Sequence, residues 1–246
     1  MRGIVITGGG TGIGRAAAHA FADAGDAVLI VGRSADTLAE TAKGRDGIHT
    51  LPLDLTEPDA AAVVVDTARR QLGRLDVLVN NAGVASFAGL GSLEPASVEA
   101  QIRTNLIAPI LLTQQALDPL EETGGLVVNI SSAGSIGLRT IPDNSVYCAT
   151  KAGLDVLTRT WSVELAPRGI RVIGVAPGVT DTGVALRAGV SPAQYEAFME
   201  RMRAEIPLGR VGAPEDIAWW IVTLASADGG YLNGAVIPVD GALSVT

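Results

Sequence analysis

A chain of 246 residues with 18 Lys and Arg against 26 Asp and Glu carries a net charge of −8. This balance disfavours binding to nucleic-acid phosphates and to anionic membranes, because both require clustered basic residues. No stretch approaches the roughly 18 uninterrupted apolar residues that a membrane span needs. We therefore expect a soluble protein that binds neither nucleic acid nor membrane.

Cysteine and histidine usage limits the chemistry further. The single cysteine, Cys148, cannot form an intrachain disulfide. The histidines, His19 and His49, lie far apart, and no Cys or carboxylate cluster has ligand spacing, so no metal site is predicted. The first three residues lead directly into a strand-like run with no room for a signal core, and we expect a cytoplasmic protein.

Short runs rich in Val, Ile and Leu alternate with longer Ala-rich amphipathic runs, which is typical of βαβ units around a buried parallel sheet. Seven strands are predicted, at residues 3–7, 27–31, 49–53, 76–80, 125–130, 171–176 and 235–239. Helices are predicted at residues 15–23, 36–43, 58–72, 98–117, 147–165 and 214–225. The pattern predicts an α/β fold in one domain, residues 1–246, with a doubly wound parallel sheet and helices on both faces.

One segment, residues 183–206, breaks this alternation. It is interrupted by Gly and Pro, carries Met and Phe, and is too long for a tight connection between two elements. We predict that it forms a small substrate lid of one or two helices.

A glycine-rich turn, Thr7-Gly8-Gly9-Gly10-Thr11-Gly12-Ile13-Gly14, follows the first predicted strand and opens the first predicted helix. Glycines let the backbone approach a pyrophosphate without a Cβ in the way, and the helix N-terminus presents unpaired N–H groups to the anion. The spacing is neither G-x-G-x-x-G nor that of a P-loop, and the alternative is a flexible connection without a ligand. We predict a dinucleotide site, with contacts from Gly8, Thr11, Gly12, Ile13 and Gly14.

Three other strand ends carry side chains suited to a dinucleotide. Arg33 follows the second strand, where a guanidinium suits a ribose 2′-phosphate and favours NADP over NAD; the alternative is a surface arginine beside a Ser34 helix cap. Asp54, after the third strand, can accept a hydrogen bond from an adenine amino group or belong to an acidic turn. The segment Asn80 to Gly83 ends the fourth strand, where ligand crevices open, or forms an Asx turn.

Tyr147 and Lys151 are one helical turn apart and share a face of a predicted helix. A free phenol titrates at about 10, so it needs a neighbouring cation to work near neutral pH. We expect the Lys151 ammonium to favour the ionised phenol and so to lower the pKa of Tyr147. The alternative is an ordinary solvated helix face.

Taken in chain order, these three groups of residues resemble the motifs TGxxxGxG, NNAG and YxxxK of the short-chain dehydrogenase/reductase superfamily. The likeness covers essentially the whole chain, and further matches are Asn105, Ser132, the segment Pro177 to Thr182, and the segment Val239 to Gly241. The resemblance implies a single Rossmann-like domain, a nicotinamide cofactor and a Ser-Tyr-Lys-Asn proton-relay site.

The resemblance also implies a role for each site residue. Tyr147 would protonate the nascent alkoxide in carbonyl reduction, or act as the base in the reverse direction, and Ser132 would hydrogen-bond the reacting oxygen. Lys151 would lower the phenol pKa and hold the nicotinamide ribose, and Asn105 would position a water between Lys151 and solvent. Besides Tyr147 and Lys151, the implied cofactor contacts are Arg33, Asp54, Leu55, Asn81, Ala82, Gly83, Val179, Thr180 and Thr182.

Two departures from the family pattern concern the substrate. The interval from Ser132 to Tyr147 is about two residues longer than is common, so residues 138–144 are expected to form a bulged loop beside the substrate. Residues 121–125 are acidic and glycine-rich, whereas relatives that reduce acyl chains on a carrier protein tend to be basic there.

The leading interpretation is an oxidoreductase that transfers a hydride between NADP(H) and a small or medium carbonyl or alcohol substrate. The alternatives are an NAD-dependent alcohol dehydrogenase, an epimerase or dehydratase on the same fold, and a dinucleotide sensor. A sensor is expected to lack Ser132, Tyr147 or Lys151, and none of these is missing. The resemblance further implies a homotetramer, or a dimer, joined through the long helices after the fourth and fifth strands and through the C-terminal strand.

Overall fold

Seven parallel strands, each a run of branched apolar residues, form one sheet. The computed structural model describes residues 1–136, 140–187 and 189–246. The strands are β1 (Gly3–Thr7), β2 (Ala27–Gly32), β3 (Ile48–Pro52), β4 (Val77–Asn80), β5 (Leu126–Ile130), β6 (Arg171–Pro177) and β7 (Val236–Val239). Their order is β3-β2-β1-β4-β5-β6-β7, and every neighbouring pair is parallel. The predicted doubly wound, Rossmann-like sheet is confirmed, and each predicted strand end lies within one residue of the observed one.

Helices cover both faces of this sheet. They are α1 (Gly12–Asp23), α2 (Ala35–Ala42), α3 (Ala60–Leu72), α4 (Pro95–Ile102), α5 (Ala108–Gln115), α6 (Leu117–Glu121), α7 (Ala133–Ile136), α8 (Ser145–Glu164), α9 (Val184–Arg187), α10 (Pro192–Glu205) and α11 (Pro214–Leu224). Short 3-10 turns occur at Leu90–Ser92, Ala166–Arg168, Ala227–Gly229 and Leu243–Val245. None of the helices in the described ranges is long and apolar enough to cross a membrane.

The helix predicted at residues 98–117 differs from the observed one. It begins at Pro95, whose fixed φ suits a first helical turn. Between α4 and α5 the segment Arg103–Ile107 is a π-helix, so the helix is interrupted in its middle. Single π turns of this kind occur mostly at functional sites. This one contains Asn105, whose side chain hydrogen-bonds the backbone of Val84 in another part of the chain.

Two apolar layers enclose the sheet. Because side chains alternate along a strand, Ile4 and Ile6 of β1 join the core beneath α1 and α11, while Val5 joins the opposite core beneath α3, α5 and α8. Phe21 of α1 is fully buried in the first layer. Fully burying a side chain of this kind contributes about 1.5–3 kcal/mol, so these two layers supply the main stabilisation of the scaffold.

A buried polar network ties the carboxyl ends of β4 and β5 to the helices. The Asn80 amide donates to Asn129 Oδ1 at 2.9 Å and to Thr113 Oγ1 at 3.1 Å. The Asn129 amide in turn donates to Thr158 Oγ1 at 2.9 Å. These bonds hold α5 and α8 in register with the two strands, which is where the candidate site lies.

The order of the sheet reverses between β1 and β4, and ligand sites of open α/β sheets lie at such a point. The glycine-rich turn follows β1 and the Asn80–Gly83 segment follows β4, so the fold brings both motifs to one edge. The segment predicted as a lid, residues 183–206, contains α9 and α10. Its role as a lid and the assignment of residues 1–246 to one domain stay predictions.

Candidate active site

The glycine-rich turn can only be built with glycines at its critical positions. Gly12 has a φ of +51°, in the left-handed region. A Cβ on Gly14 would lie 2.3 Å from the carbonyl oxygen of Gly8, a distance that real Cβ atoms do not adopt. Close packing of turn on helix therefore requires a bare backbone here.

The start of α1 suits a bound anion. Its N-cap residue, Thr11, makes no side-chain capping bond, and the first turn contains no acidic residue. Ile13 is half-buried and packs against the first core layer, which orients the turn. Backbone N–H groups and the positive end of the helix dipole favour a phosphate at such an N-terminus. The residues present thus fit the pyrophosphate of a dinucleotide.

The Asn80–Gly83 segment braces this turn. Thr7 Oγ1 accepts hydrogen bonds from the N–H groups of Asn81 and Ala82, both at 2.9 Å. The Asn81 amide donates to the carbonyl oxygens of Thr7 at 2.8 Å and Gly8 at 3.3 Å. The amide nitrogen of Asn81 is therefore used within the protein, and its predicted contact with ribose stays a prediction. The role of Thr7 as the acceptor of these two hydrogen bonds was not predicted. The available signal was its position as a lone hydroxyl at the end of an apolar strand.

Arg33 and Asp54 lie on the same edge, after β2 and β3. Arg33 is exposed, and Ser34 beside it caps α2 by accepting from Thr37 N at 3.3 Å. Asp54 accepts from the Thr56 N–H at 2.9 Å and from its hydroxyl at 2.8 Å. The Thr56 N–H is the largest influence that lowers the pKa of Asp54; burial opposes it, and the Arg33 charge lowers the pKa further.

The geometry supports both interpretations of Arg33 and Asp54, as cofactor contacts and as ordinary surface and turn residues. Asp54 forms the acidic turn, and Ser34 forms the cap, yet the Arg33 guanidinium is close enough to Asp54 to act on its charge. Leu55 packs against the second core layer. An exposed guanidinium at this position is available to a ligand phosphate.

The loop after β6 faces the glycine-rich turn. A Cβ on Gly12 would lie 2.9 Å from Thr182 Cβ, so the two segments are in contact. Thr180 pairs with Gly212 in an isolated parallel bridge and donates its hydroxyl to Gly178 O at 3.2 Å. Val179 packs against a small core formed with α10. The structure therefore brings the predicted residues Val179, Thr180 and Thr182 to the same crevice as the turn.

Ser132, Tyr147 and Lys151 converge at the carboxyl end of β5. Ser132 Oγ accepts from the Gly134 N–H at 3.2 Å, and the Ser132 side chain is close enough to the Tyr147 hydroxyl to lower its pKa. Lys151 is buried; its Nζ donates to Ile130 O at 2.8 Å and lies 5.8 Å from the centroid of the Tyr147 ring. The three side chains of the predicted relay are thus neighbours.

Asn105 reaches the same place from the π-helix. It is fully buried, its Oδ1 accepts from Val84 N at 2.8 Å, and its amide donates to Val84 O at 2.9 Å and Thr150 Oγ1 at 3.2 Å. A Cβ on Gly83 would lie 3.5 Å from both Asn105 Oδ1 and Lys151 Nζ. The absence of that Cβ leaves room around the amine. The predicted water between Lys151 and solvent stays a prediction.

The pKa values of Tyr147 and Lys151 differ from the expectation. Burial of the hydroxyl raises the pKa of Tyr147 to about 12, although its ring is partly exposed and the Ser132 hydrogen bond lowers the value. Burial also lowers the pKa of Lys151 to about 8, against a raising effect of Asp155. The expectation that the phenol pKa lies below its ordinary value is wrong for this structure, because burial of the hydroxyl is the largest influence on that pKa. Tyr147 is consequently protonated at neutral pH.

Sequence reasoning missed a second polar cluster behind the relay. Ser135 Oγ donates to Asp155 Oδ2 at 2.7 Å and lies 3.0 Å from Ser131 Oγ. Asp155 is only 2% exposed, and it is four residues beyond Lys151 on the same helix. An acid at i+4 from a catalytic candidate, on the same face of its helix, was the signal in the sequence.

Two further predictions concern this region. Of the predicted bulged loop, residues 138 and 139 lie outside the described residues; Ile141 approaches Ser132, since a Cβ on Gly134 would contact the side chains of both. Among the described residues, no group of three or more His, Cys, Asp or Glu is placed to hold a metal ion.

Comparison with known proteins identifies the class. The family model described as enoyl-(acyl carrier protein) reductase matches residues 8–244. With this fold, this turn and this relay, the chain belongs to the short-chain dehydrogenase/reductase superfamily. It is an NAD(P)-dependent oxidoreductase that acts on hydroxyl and keto groups.

Three relatives illustrate the similarity. The chain is 36% identical over 246 residues to 3-oxoacyl-[acyl-carrier-protein] reductase FabG of Thermotoga maritima, covering 98% of this chain and 97% of the relative. It is 40% identical over 245 residues to cis-4-hydroxycyclohexanecarboxylate dehydrogenase of Sinomonas cyclohexanicum, covering 96% and 94%. The crystal structure of a short-chain dehydrogenase/reductase from Caenorhabditis elegans with cofactor superposes with a TM-score of 0.92, at 33% identity and coverage of 100% and 96%.

Proposed function

We propose that this protein is an NADP(H)-dependent enzyme that reduces a small or medium carbonyl compound, or oxidises the matching alcohol, with Tyr147 as the acid/base. One observation carries the proposal. The Ser132 side chain lies close to the Tyr147 hydroxyl, and the buried Lys151 amine lies 5.8 Å from the centroid of the Tyr147 ring, at the edge where the glycine-rich turn lies. A nicotinamide cofactor, when bound, supplies or accepts the hydride.

Residues of four segments and of α8 bind the different parts of the cofactor. The turn at Gly8–Gly14 holds the pyrophosphate, and the segments after β3, β4 and β6 hold the adenosine and nicotinamide ends. Lys151 has N–H groups left beside its bond to Ile130 O, and these bind the nicotinamide ribose hydroxyls. Thr180 and Thr182 bind the carboxamide and the pyrophosphate from the opposite wall.

Proton transfer belongs to Tyr147. In reduction, the phenol O–H bond breaks and its proton joins the substrate oxygen as that oxygen becomes an alcohol. Ser132 donates a hydrogen bond to the same oxygen and polarises the carbonyl. The Lys151 ammonium stabilises the phenolate that remains, and Asn105 positions the water through which the proton is restored. With its pKa raised to about 12, the phenol carries its proton at neutral pH and is therefore in the acid form that this step requires.

The preference for NADP rests on Arg33. It is exposed beside the capped start of α2 and near Asp54, where a 2′-phosphate would meet a guanidinium rather than a carboxylate. We expect Arg33→Ala to lower kcat/KM for NADPH by about tenfold or more, and to change kcat/KM for NADH little. Arg69→Ala is the matched control, since Arg69 is exposed on α3 and pairs only with Glu122 in the described ranges. Preference of the wild type for NADH would favour the alternative, an NAD-dependent alcohol dehydrogenase.

The substrate is proposed to be free rather than linked to an acidic carrier protein. Arg168, the basic residue near the acidic segment 121–125, is already paired with Asp118 at 2.8 Å and Glu121 at 2.5 Å. Its charge is therefore neutralised by neighbours and not offered to a partner. Of the two named relatives, the one with the higher identity, 40% against 36%, acts on a hydroxycyclohexanecarboxylate according to its name, and it supports this class.

A single assay tests the function. The purified protein is mixed with NADPH or NADH and a panel of small carbonyl compounds, and nicotinamide absorbance is followed. Oxidation of NADPH that Tyr147→Phe reduces by ~10³-fold or more, without loss of cofactor binding, supports the proposal. Cofactor binding without turnover of any carbonyl or alcohol supports a dinucleotide sensor. Product formation without net change in nicotinamide absorbance supports an epimerase or dehydratase.

We further propose a homotetramer, or a dimer, located in the cytoplasm, with residues 183–206 as the substrate lid of a single domain. The apolar side chains exposed on α4–α5 and α8 support the assembly.

A further inference from the structure

The polar cluster of Ser131, Ser135 and Asp155 connects the serine of the relay to the helix that carries Tyr147 and Lys151. Ser135 lies on the one-turn helix α7, directly after Ser132, and its hydroxyl reaches Asp155 Oδ2 at 2.7 Å on α8. That hydroxyl also lies 2.6 Å from Ser132 O. The segment that holds Ser132 is thus attached to α8 through one carboxylate.

Asp155 is also the acidic neighbour of the buried amine. It is 2% exposed, Lys151 is 3% exposed, and the two are one turn apart on the same face of α8. Asp155 Oδ1 has no hydrogen-bond partner among the described residues. A buried carboxylate with incomplete hydrogen bonding is costly, so its position needs a compensating charge nearby.

We propose that Asp155 is a positioning residue of the reaction: it holds the Ser132 segment against α8 and supplies the buried negative charge that stabilises the Lys151 ammonium. The inference rests on the proposed function, since it assigns Asp155 to the Ser132-Tyr147-Lys151 relay. Asp155 does not contact the substrate oxygen; it acts through Ser135 and Lys151.

The surroundings of Lys151 explain why Asp155 matters. On α8 itself, the titratable neighbours are Tyr147, Cys148 and Asp155, and the exposed Arg159 acts on Asp155 from the next turn. The facing segments contribute uncharged groups: Ile130 O from β5, Ser131 and Ser135 from the α7 region, and Asn105 from the π-helix. In the described ranges, Asp155 is therefore the charge that opposes the effect of burial on the Lys151 amine, whose pKa burial lowers to about 8.

The chain offers a direct readout, because its only lysines are Lys43 and Lys151. Isotope-labelled lysine gives two NMR signals, which Lys43→Arg assigns, and Lys43 is the exposed internal reference. In the wild type we expect Lys151 to titrate near 8. In Asp155→Asn, the titration midpoint should fall by about one pH unit, which is a tenfold change in the protonation equilibrium. Asp66→Asn removes the same charge from the exposed face of α3 and should leave it unchanged.

Kinetic measurements separate the effect of the Asp155 charge on Lys151 from the effect of the Ser135 hydrogen bond on the Ser132 segment. In reduction, Asp155→Asn should lower kcat about fivefold at a pH of about 8 and about tenfold at higher pH, with KM changed less than about threefold, and move the basic limb of the pH profile to lower pH. Ser135→Ala should lower kcat several-fold and leave the Lys151 titration nearly in place, because the carboxylate charge remains.

Two results overturn the proposal. One is a Lys151 midpoint that is the same in Asp155→Asn as in the wild type; the other is a wild-type midpoint below about 6, which needs no variant. An unchanged kcat in Ser135→Ala overturns the part of the proposal in which Asp155 holds the Ser132 segment through Ser135. If the protein oxidises no nicotinamide with any substrate, the proposed function fails, while the lysine titration still reports on the charge of Asp155.

Discussion

Lys151 is buried and Tyr147 is partly buried beside it, and burial shifts the two pKa values apart, that of the phenol upwards and that of the amine downwards. The phenol stays protonated up to about 12, whereas the amine loses its proton at about 8. Burial favours the uncharged state of each group, and this sets the range of pH in which the proposed acid form, a neutral phenol beside an ammonium, exists.

This pair leads to a pH prediction at the scale of the residue. Reduction requires a protonated phenol and a charged amine, and both are present below about pH 8. As pH rises through the lysine pKa, the ammonium is lost, so kcat for reduction should fall by about tenfold per pH unit above it. The profile of kcat against pH checks this, and its midpoint belongs to the coupled pair. A rate that keeps rising through pH values of about 9 would contradict it.

Gly14 supplies a second prediction at this scale. Alanine is favoured over glycine in a helix by about 1 kcal/mol, so Gly14→Ala would stabilise α1 if space allowed. Its Cβ, however, would lie 2.3 Å from Gly8 O and 2.6 Å from Asn81 Nδ2. We expect a loss of about 1–3 kcal/mol in unfolding free energy and at least tenfold weaker NADPH binding, measured by denaturation and by calorimetry.

Gly91→Ala is the matched control for that substitution. A Cβ on Gly91 meets nothing within 4 Å, and its φ is not positive. The control should bind NADPH as the wild type does. If Gly14→Ala and Gly91→Ala have equal affinities, the turn does not hold the cofactor as proposed.

The sequence identified which residues the site would contain, but not how they are tuned. Ser132, Tyr147, Lys151 and Asn105 were predicted from motifs and lie together in the structure. The direction of the Tyr147 pKa shift was predicted wrongly, because spacing gives the distance to a charge and not the loss of water around the phenol. The hydrogen bond from Ser135 to Asp155 could not be predicted, since Ser135 lies on α7, a one-turn helix that no sequence pattern indicated.

The helix α10 is attached to the rest of the molecule at few points. Its capping box at Ser191 and Gln194 starts it, Met199 and Met202 are buried beneath it, and Tyr195 donates to Asp181 Oδ1 at 2.6 Å. Asp181 follows the β6 loop that contains Thr180. The Tyr195 hydrogen bond therefore joins the proposed lid to the cofactor crevice.

Removing this bond should loosen the element without unfolding the protein. We expect Tyr195→Phe to increase hydrogen exchange in α10 several-fold and to raise KM for the substrate, with Tm nearly unchanged. Arg203→Gln is the control on the same helix, because it breaks only the exposed pair with Glu196, which contributes about 0–1 kcal/mol. Equal exchange in the two variants would show that Asp181 does not restrain the lid.

At the element scale, the strands were predicted well because a buried parallel strand is a local run of Val, Ile and Leu. Interruptions of helices were not predicted. The π-helix at Arg103–Ile107 exists because Asn105 hydrogen-bonds the Val84 backbone, some twenty residues away in the chain. Contacts between distant segments leave no periodic signal in either one.

The whole molecule carries apolar side chains that its own core does not cover. On α4, the π-helix, α5 and α8, the exposed residues are Ile102, Ile107, Leu111, Val156 and Val163. Apolar side chains exposed on neighbouring helices favour an interaction surface there. The proposed homotetramer, or dimer, would use it.

Assembly can be tested with charge on that patch. The double variant Leu111→Glu, Val163→Glu should lower the oligomer mass to that of a smaller species, because burying two carboxylates at an interface is strongly unfavourable. Val63→Glu on α3, where Val63 is 39% exposed on a different helix, is the control. Analytical ultracentrifugation gives the masses, and identical assemblies in all three proteins would contradict the proposed interface.

The packing of α1 against α11 has a consequence for synthesis on the ribosome. Ala17, Ala18 and Phe21, beside the phosphate-binding turn, share one core layer with Ile217 and Ile221 near the other end of the chain. When the first half of the chain leaves the ribosome, the apolar face of α1 is therefore exposed. It is covered only when α11, in the final quarter of the chain, has been synthesised. A message truncated before α11 would yield a chain that retains the glycine turn yet captures no coenzyme, although α11 contributes none of the predicted coenzyme contacts.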